Sequence, residues 1–347
     1  YGVFKTCAFG FIVRNCDSLY KASLKILGSK LTHGVLRYSL FNHFCAGETS
    51  EQIIPRMAEL RKYGIGGILD YAAEAKEGAL PEVEHATNEE ETVGAPLSSR
   101  KYDYRGEAVC DANTEIFLDA IAAVRDATPD GFAAIKLSGL GNPVLLERVS
   151  TCLMEMTFLF KRVSEGLPEA DRSVPYQCID RTFRLDFNAF KEGWQKLFTV
   201  RSEDELRKVF EELDADKDGY ITYVDWSERI KLSEINMLIR DCISQGPLYR
   251  ASLDEEELKL YTNMANRVKR IMDTAKEQGV RVMVDAEWTD IQPAIDHIVI
   301  FLQRIYNRDD RPIVFNTYQT YMKGMDNRVL RDLERSRREG WRFGAKV

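Results

Sequence analysis

The chain of 347 residues has only four histidines, at positions 33, 43, 85 and 297, and none forms an HExxH pair or lies close to another. Zinc hydrolase chemistry of that kind is therefore not expected. The seven cysteines (7, 16, 45, 110, 152, 178 and 242) are odd in number, scattered and without a CxxC spacing. Such usage suits reduced thiols in a reducing compartment better than a disulfide framework or a zinc site. No stretch approaches roughly eighteen uninterrupted apolar residues, so a membrane span is not expected, while peripheral membrane contact is left open. A basic excess is also missing. With 48 Lys and Arg against 55 Asp and Glu, the net charge is -7 and the pI near 5.4, which argues against nucleic-acid binding as the main task. The chain opens on Tyr1, so a targeting peptide, if one preceded it, is not present here.

What is present begins with a loop. Asp214, Asp216 and Asp218 alternate, Gly219 follows in the sixth position and Ile221 in the eighth. A hard cation needs six or seven converging oxygens, and alternate aspartates on a tightly turned backbone supply them. In this reading the ligands are Asp214, Asp216, Asp218, the Tyr220 carbonyl, Thr222 directly or through water, and Asp225, and the segment is an EF-hand. The twelfth position is Asp225, where a glutamate ordinarily supplies two oxygens. The shorter side chain lowers calcium affinity and favours magnesium; the plainer alternative is an acidic turn that binds nothing firmly. Ser202 and Glu205 are spaced for a capping box, and Leu206, Val209, Phe210 and Leu213 then recur at helical spacing into the loop. Trp226 and Ile230 begin an exiting helix. Arg184 to Phe190, followed by Trp194 and Leu197, reads as half of a second hand without acidic ligands. Residues 176–232 are thus expected to be one functional hand docked on a degenerate one.

The rest of the chain, 44% hydrophobic overall, reads as repeated β-α alternation. Residues 1–60 form a helical arm: Leu24, Leu27, Leu31, Val35 and Leu36 recur at helical spacing, as do Ile53, Ile54, Met57 and Leu60. Gly64 to Asp70 reads as a buried strand ending on an acid, and residues 75–107, rich in Glu, Ala, Pro and Ser, as a mobile acidic excursion. Short apolar runs closing on polar residues recur at Ile68 to Tyr71, Phe132 to Lys136, Val282 to Asp285 and Pro312 to Asn316, and a fifth starts at Trp341. Helical stretches at 145–165, 254–278, 292–305 and 325–338 separate most of them. The pattern predicts an α/β fold, a parallel TIM-type (βα)8 barrel with its site at the C-terminal rim of the strands. A doubly wound open sheet is the runner-up, but no GxGxxG follows a strand. With five strands in sight the barrel is expected to be incomplete, with residues 61–175 carrying its first strands, 176–232 the insertion and 233–347 its continuation into a fifth strand. At the presumed rim stand Asp70, Glu74, Lys136, Asp285, Glu287, Asn316, Tyr318 and Lys346. Such charges serve either a substrate or salt bridges that hold barrel loops. Arg335, Arg337 and Arg338 read as a solvated helix face.

Several of these stretches resemble the proline dehydrogenase family of flavoproteins, in its animal mitochondrial form. They are Phe44-Cys45-Ala46-Gly47-Glu48-Thr49, Ile68-Leu69-Asp70-Tyr71-Ala72-Ala73-Glu74, Ile135-Lys136-Leu137-Ser138, Val284-Asp285-Ala286-Glu287, Phe315-Asn316-Thr317-Tyr318-Gln319 and Phe343-Gly344-Ala345-Lys346-Val347, in family order along the whole chain. The resemblance implies a distorted barrel that binds FAD noncovalently and oxidises L-proline to 1-pyrroline-5-carboxylate. It further implies electrons passed to a quinone at the matrix side of the inner mitochondrial membrane. By the same resemblance Lys136 lies near the proline carboxylate, Asp285 orders that pocket, and Glu74 pairs with a substrate-binding arginine and gates it. Asn316 is implied to contact the flavin through its amide, and Lys346 to face the flavin.

The family continues after Val347 with further flavin contacts and a helix whose paired arginines hold the proline carboxylate. The chain as it stands is therefore expected to be an N-terminal portion with negligible activity of its own. A non-enzymatic calcium-binding or interaction protein on a truncated barrel is one alternative reading; hydroxyproline dehydrogenase is another.

Overall fold

The structure is a computed structural model that describes residues 1–70, 104, 106–128, 130–165, 182–199, 202–229, 232, 242–243 and 246–347. The described chain divides into two compact units, Tyr1–Gly67 with Ala122–Gly131, and Ile68–Ile121 with Phe132–Val347. Glu74, most of the acidic excursion, Cys178, Ile230 and the start of the expected second hand lie outside the described residues.

The first unit contains the expected arm as helices Gly2–Ala8, Gly10–Arg14, Cys16–Leu36 and Ser50–Arg61, with a π-helical turn at Arg37–Phe41 and a short turn at Asn42–Phe44. The long helix is interrupted at Gly28, whose φ of 76° is reached at little cost only by glycine. Its apolar spacing is helical, but Leu27, Leu31 and Val35 are exposed. The expectation of a buried strand from Gly64 fails for a local reason. Gly64, at φ 72°, closes the preceding helix, and the Ile65 amide donates to the Leu60 carbonyl at 3.2 Å. Those residues are spent on a left-handed cap, and Ile65 is left exposed.

The second unit is built on five parallel strands in chain order: β1 Ile68–Asp70, β2 Phe132–Ile135, β3 Arg281–Val284, β4 Val314–Thr317 and β5 Ala345–Lys346. All five overlap the apolar runs read from the sequence, with β3 starting one residue earlier, at Arg281, and β4 ending one residue later, at Thr317. Helices α1 Glu107–Ala127, α2 Pro143–Glu165, α3 Phe187–Leu197, α4 Glu203–Leu213, α5 Tyr223–Arg229, α6 Pro247–Ala251, α7 Glu255–Gln278, α8 Gln292–Tyr306 and α9 Met325–Glu339 connect them. The stretch before β3 shows how sequence places a strand. Asp254 and Glu257 form a reciprocal capping box at the start of α7, Gly279 ends the helix at φ 69°, and Arg281-Val282-Met283-Val284 follows as strand. α1 was not singled out in the sequence, because its periodicity follows directly on the compositionally biased excursion.

The helices cover one face of the sheet. Ala133, Ile135, Val282, Val284, Val314 and Asn316 point into that layer and are at most 1% exposed. The alternate residues are more open: Phe132, Arg281, Phe315, Thr317 and Lys346 are half-buried, and Ile68 is exposed. A strand's side chains alternate between faces, so this split sorts every residue at the strand ends.

The segment between β2 and β3 packs its own aromatic core against α2. Leu185 and Ile221 form an antiparallel bridge with amide-to-carbonyl distances of 3.0 and 2.9 Å, and both side chains are fully buried. The capping box at Ser202 and Glu205 is formed, and Leu206, Phe210 and Leu213 face inward. Phe160 of α2 stacks edge-on to Tyr223 at 5.6 Å, and Trp226 donates its indole N–H to the Met156 carbonyl at 3.1 Å.

α9 departs most from expectation. Arg328, Arg331 and Arg335 are buried whereas Leu330 is 43% exposed. Arg337 is solvated as expected, but Arg335 bonds Asp332 and Ser227, and Arg338 bonds Asp225 and Glu334. The arginine stripe turns inward because carboxylates on α8, α9 and the inserted loop meet it there.

Candidate functional site

The register determines which strand-end side chains share a face. Asp70 is paired with Ala134, Ala134 with Met283, Met283 with Phe315, and Thr317 with Lys346. Two residues beyond Ala134 is Lys136, and two beyond Met283 is Asp285. Asp70, Lys136, Asp285, Thr317 and Lys346 therefore converge on the open face at the C-terminal ends of the strands.

Their contacts agree with that placement. The Lys346 ammonium donates to Asp285 Oδ1 at 2.7 Å. The Thr317 hydroxyl donates to the Val284 carbonyl at 2.7 Å. Burial pushes the Asp70 carboxyl up, the charge of Asp285 adds to this, and Lys136 and Lys346 pull it back. Lys136 is half-buried, and its ammonium makes no hydrogen bond or ion pair with any described residue. An ammonium beside two carboxylates, with its donors unused, is ready to take an external anionic group.

Glu287 closes one side. It accepts the Ser138 amide at 3.1 Å and the Ser138 hydroxyl, and its own amide donates to Gln292 Oε1 at 2.8 Å. Burial raises its carboxyl above the ordinary 4.5, opposed by the two Ser138 bonds and by Lys136. Gln319 donates to the Glu287 carbonyl at 3.3 Å. Ser138 and Gln319 lie inside stretches that resembled a known family, but no role could be assigned to them before Glu287 was seen beside both.

Asn316 and Tyr318 are not brought into this group. They alternate with Thr317 and lie in the helix layer. The Asn316 amide donates to Asp296 at 3.3 Å, and the Tyr318 hydroxyl donates to Asp332 at 3.1 Å with Arg328 4.7 Å over its ring. Asp296 Oδ1 also accepts from Gln292 at 2.8 Å and from Arg328. Sequence reading passed over Asp296, which carries no motif and lies mid-helix.

In the inserted loop Asp214, Asp216 and Asp218 present carboxylate oxygens all within 4.8 Å of one another. Gly219, at φ 86°, makes the turn, and Asp214 accepts the Asp218 and Gly219 amides at 3.2 and 2.9 Å. The other two side chains in the expected ligand set face each other. Asp225 accepts the Thr222 amide and hydroxyl at 2.8 and 2.5 Å, and Arg338 spans Asp216 at 2.8 Å and Asp225 at 3.2 Å. Tyr220 has its ring exposed and its amide bonded to Asp218 at 3.0 Å.

A sequence model described as proline dehydrogenase matches residues 178–347. Mitochondrial proline dehydrogenase 1 of Caenorhabditis elegans is 32% identical over 99% of this chain and 60% of its own length. The Homo sapiens protein of the same name is 32% identical over 99% of this chain and 61% of its own. Along nearly its whole length the chain is similar to proline dehydrogenases. It spans about three fifths of the length of these curated relatives. Hydroxyproline dehydrogenase of Bos taurus is more distant, at 26% identity over 99% of this chain. No solved structure matches the chain. Within the family match lie Asp285, Asn316, Lys346 and the acidic loop; Lys136 falls within the longer alignments.

The raised carboxyl of Glu287 sets a pH test. A group whose folded pKa is raised favours folding most fully below its unfolded value and loses that contribution as pH rises through the folded value. Ionising Glu287 as pH rises through its raised value therefore carries a cost that Glu287→Gln removes. The Gln variant is expected to be the more stable at pH 7 in urea melts, with the difference shrinking as pH falls toward 4.5. A difference that is constant with pH contradicts the assignment.

Proposed function

We propose that the open strand-end face is the substrate side of an FAD-dependent L-proline dehydrogenase, forming 1-pyrroline-5-carboxylate. The observation that carries this reading is Lys136, a half-buried ammonium with no partner among the described residues, flanked by the Asp285–Lys346 pair. Closer identity to proline dehydrogenases than to hydroxyproline dehydrogenases supports proline as substrate. The face also suits a flavin. Phe132 and Phe315 meet edge-to-face at 5.1 Å and are half-buried, with the Arg281 guanidinium 3.9 Å over Phe132, so aromatic surface and the positive charges of Arg281, Lys136 and Lys346 share this face.

When bound, FAD supplies the two-electron acceptor for oxidation of the ring C–N bond. The chain's own residues bind and align. Lys136 takes the proline carboxylate; Asp285 fixes Lys346 toward the ring face; Glu287, held by Ser138, keeps the β2 and β3 ends together. Asn316 acts from behind the sheet, positioning β4 through Asp296. Glu74, outside the described residues, retains the role of gating acid. No protein histidine is needed, because alignment and exclusion of water are what this chemistry asks of the barrel. The barrel closes with strands beyond the five described, and the electrons pass to a quinone at the matrix face of the inner mitochondrial membrane. Curated relatives named as mitochondrial support that location. Among the described residues no helix is long and apolar enough to cross a membrane.

Lys136→Met in the full-length protein tests the reading. Loss of a charge-assisted bond worth about 1.5–3 kcal/mol lowers kcat/KM for proline about 10- to 150-fold in dye-reduction assays. Bound-flavin absorbance is expected to remain. An unchanged kcat/KM would falsify the assignment.

The inserted segment is read as an EF-hand pair bridged at Leu185 and Ile221, with a weak calcium or magnesium site at Asp214, Asp216 and Asp218. Arg338 neutralises Asp216 and Asp225 and so competes with the ion. Calorimetric titration of calcium and magnesium is expected to show binding in wild type and none in Asp214→Ala. Absence of binding heat for both ions in wild type rejects the site.

A further inference from the structure

On the helix side of the sheet, α2, α5, α8 and α9 surround a cavity of about 90 Å³. Four arginines line it, Arg304 from α8 and Arg328, Arg331 and Arg335 from α9. A buried guanidinium is costly unless its charge and its donors are met. Three of the four bond carboxylates, although Arg335 leaves its Nε unbonded. Arg304 donates twice to Glu339, at 2.6 and 2.7 Å; Arg328 pairs with Asp296; Arg335 donates to Asp332 at 3.1 Å and to Ser227 at 2.6 Å.

Arg331 is the exception. It is 5% exposed, and its Nε and Nη1 reach no acceptor among the described residues. Its guanidinium carbon lies 4.9 Å over the Tyr223 ring, a contact that gives Nε and Nη1 no hydrogen-bond acceptor. Tyr223 is held by its hydroxyl, 2.9 Å from that of Thr157, so the platform is built and not incidental. The carboxylates around the four arginines are Asp296, Asp332 and Glu339, with half-buried Glu228 facing Arg304 and Glu339, and none of them bonds Arg331 Nε or Nη1. His297 adds no charge at neutral pH, because burial and the charges of Arg304 and Arg335 lower its pKa to about 4. The space exceeds what one water needs, about 10–15 Å³ by the same kind of measure, and waters would supply acceptors to Arg331 but no negative charge.

We infer that this cavity is a binding site for a small oxyanion, with Arg331 as its principal donor. The ligand class is inorganic phosphate or a small carboxylate, which a planar guanidinium fork recognises through paired N–H groups. The site is on the opposite face of the sheet from Lys136 and Asp285. It joins α5 of the inserted segment to α8 and α9, so its occupancy ties the insertion to the helix layer.

Calorimetry and thermal melts of the full chain with inorganic phosphate, with acetate, and with sodium chloride at matched ionic strength test this. Phosphate or acetate is expected to bind one site and raise Tm beyond the chloride control, and whichever acts identifies the source of the oxyanion. Arg331→Met is expected to weaken that binding at least about ten-fold, as loss of a charged hydrogen bond implies. Arg337→Met, on the solvated side of the same helix, leaves it unchanged. Should the Met variant fail to fold, Arg331→Lys retains the charge but loses the fork, and is expected to weaken binding measurably. Absence of any oxyanion-specific response in wild type overturns the proposal, as does an equal response in the folded Arg331 variant.

Discussion

The alternation of side chains across one parallel sheet is the constraint on which the rest depends. Ile135 and Lys136, Val284 and Asp285, and Asn316 and Thr317 are neighbours in sequence whose side chains leave the sheet in opposite directions. The first of each pair is buried in the helix layer, at 1% exposure or less, and that burial is what commits the second to the open face. A slip of one residue would bury the charges of Lys136 and Asp285 and expose Ile135 and Val284. The hydrophobic packing of one face thus specifies the polar arrangement of the other.

Behind the sheet the helix layer is polar as well as apolar, and Asp296 is its centre. One carboxylate oxygen collects Gln292, Asn316 and Arg328. Gln292 in turn receives the amide of Glu287, whose carboxylate receives Ser138. The chain of bonds runs from a buried charge in α8 to the ends of β2 and β3. Replacing either Asp296 or Arg328 would leave the other charge buried without this partner, which costs more than the bond itself. Asn316 is thus linked to the strand ends without entering the open face.

Much of this was legible in the sequence. Each strand is a short apolar run closing on a charged or amide residue, and Gly279 or a capping box marks where helix gives way to strand or begins. The convergence of Lys136, Asp285 and Lys346 followed from strand ends alone, because parallel strands put those ends on one rim. What was not legible depends on register and on partners distant in sequence. Asn316 and Thr317 are equivalent candidates until pairing with Ala345 and Lys346 assigns their faces. The arginines of α9 have the spacing of a solvated stripe, and only Asp296, Asp225 and Asp332 turn them inward.

The two-face account is tested most directly by thiol accessibility at neighbouring positions, read against the background of the native cysteines. Thr317→Cys lies on the open face and Val284→Cys in the helix layer, with Val284 fully buried. The account predicts that a small thiol reagent labels the cysteine at 317 rapidly under native conditions and the one at 284 only on unfolding. Equal labelling at both positions, or protection at 317 with ready reaction at 284, would contradict it.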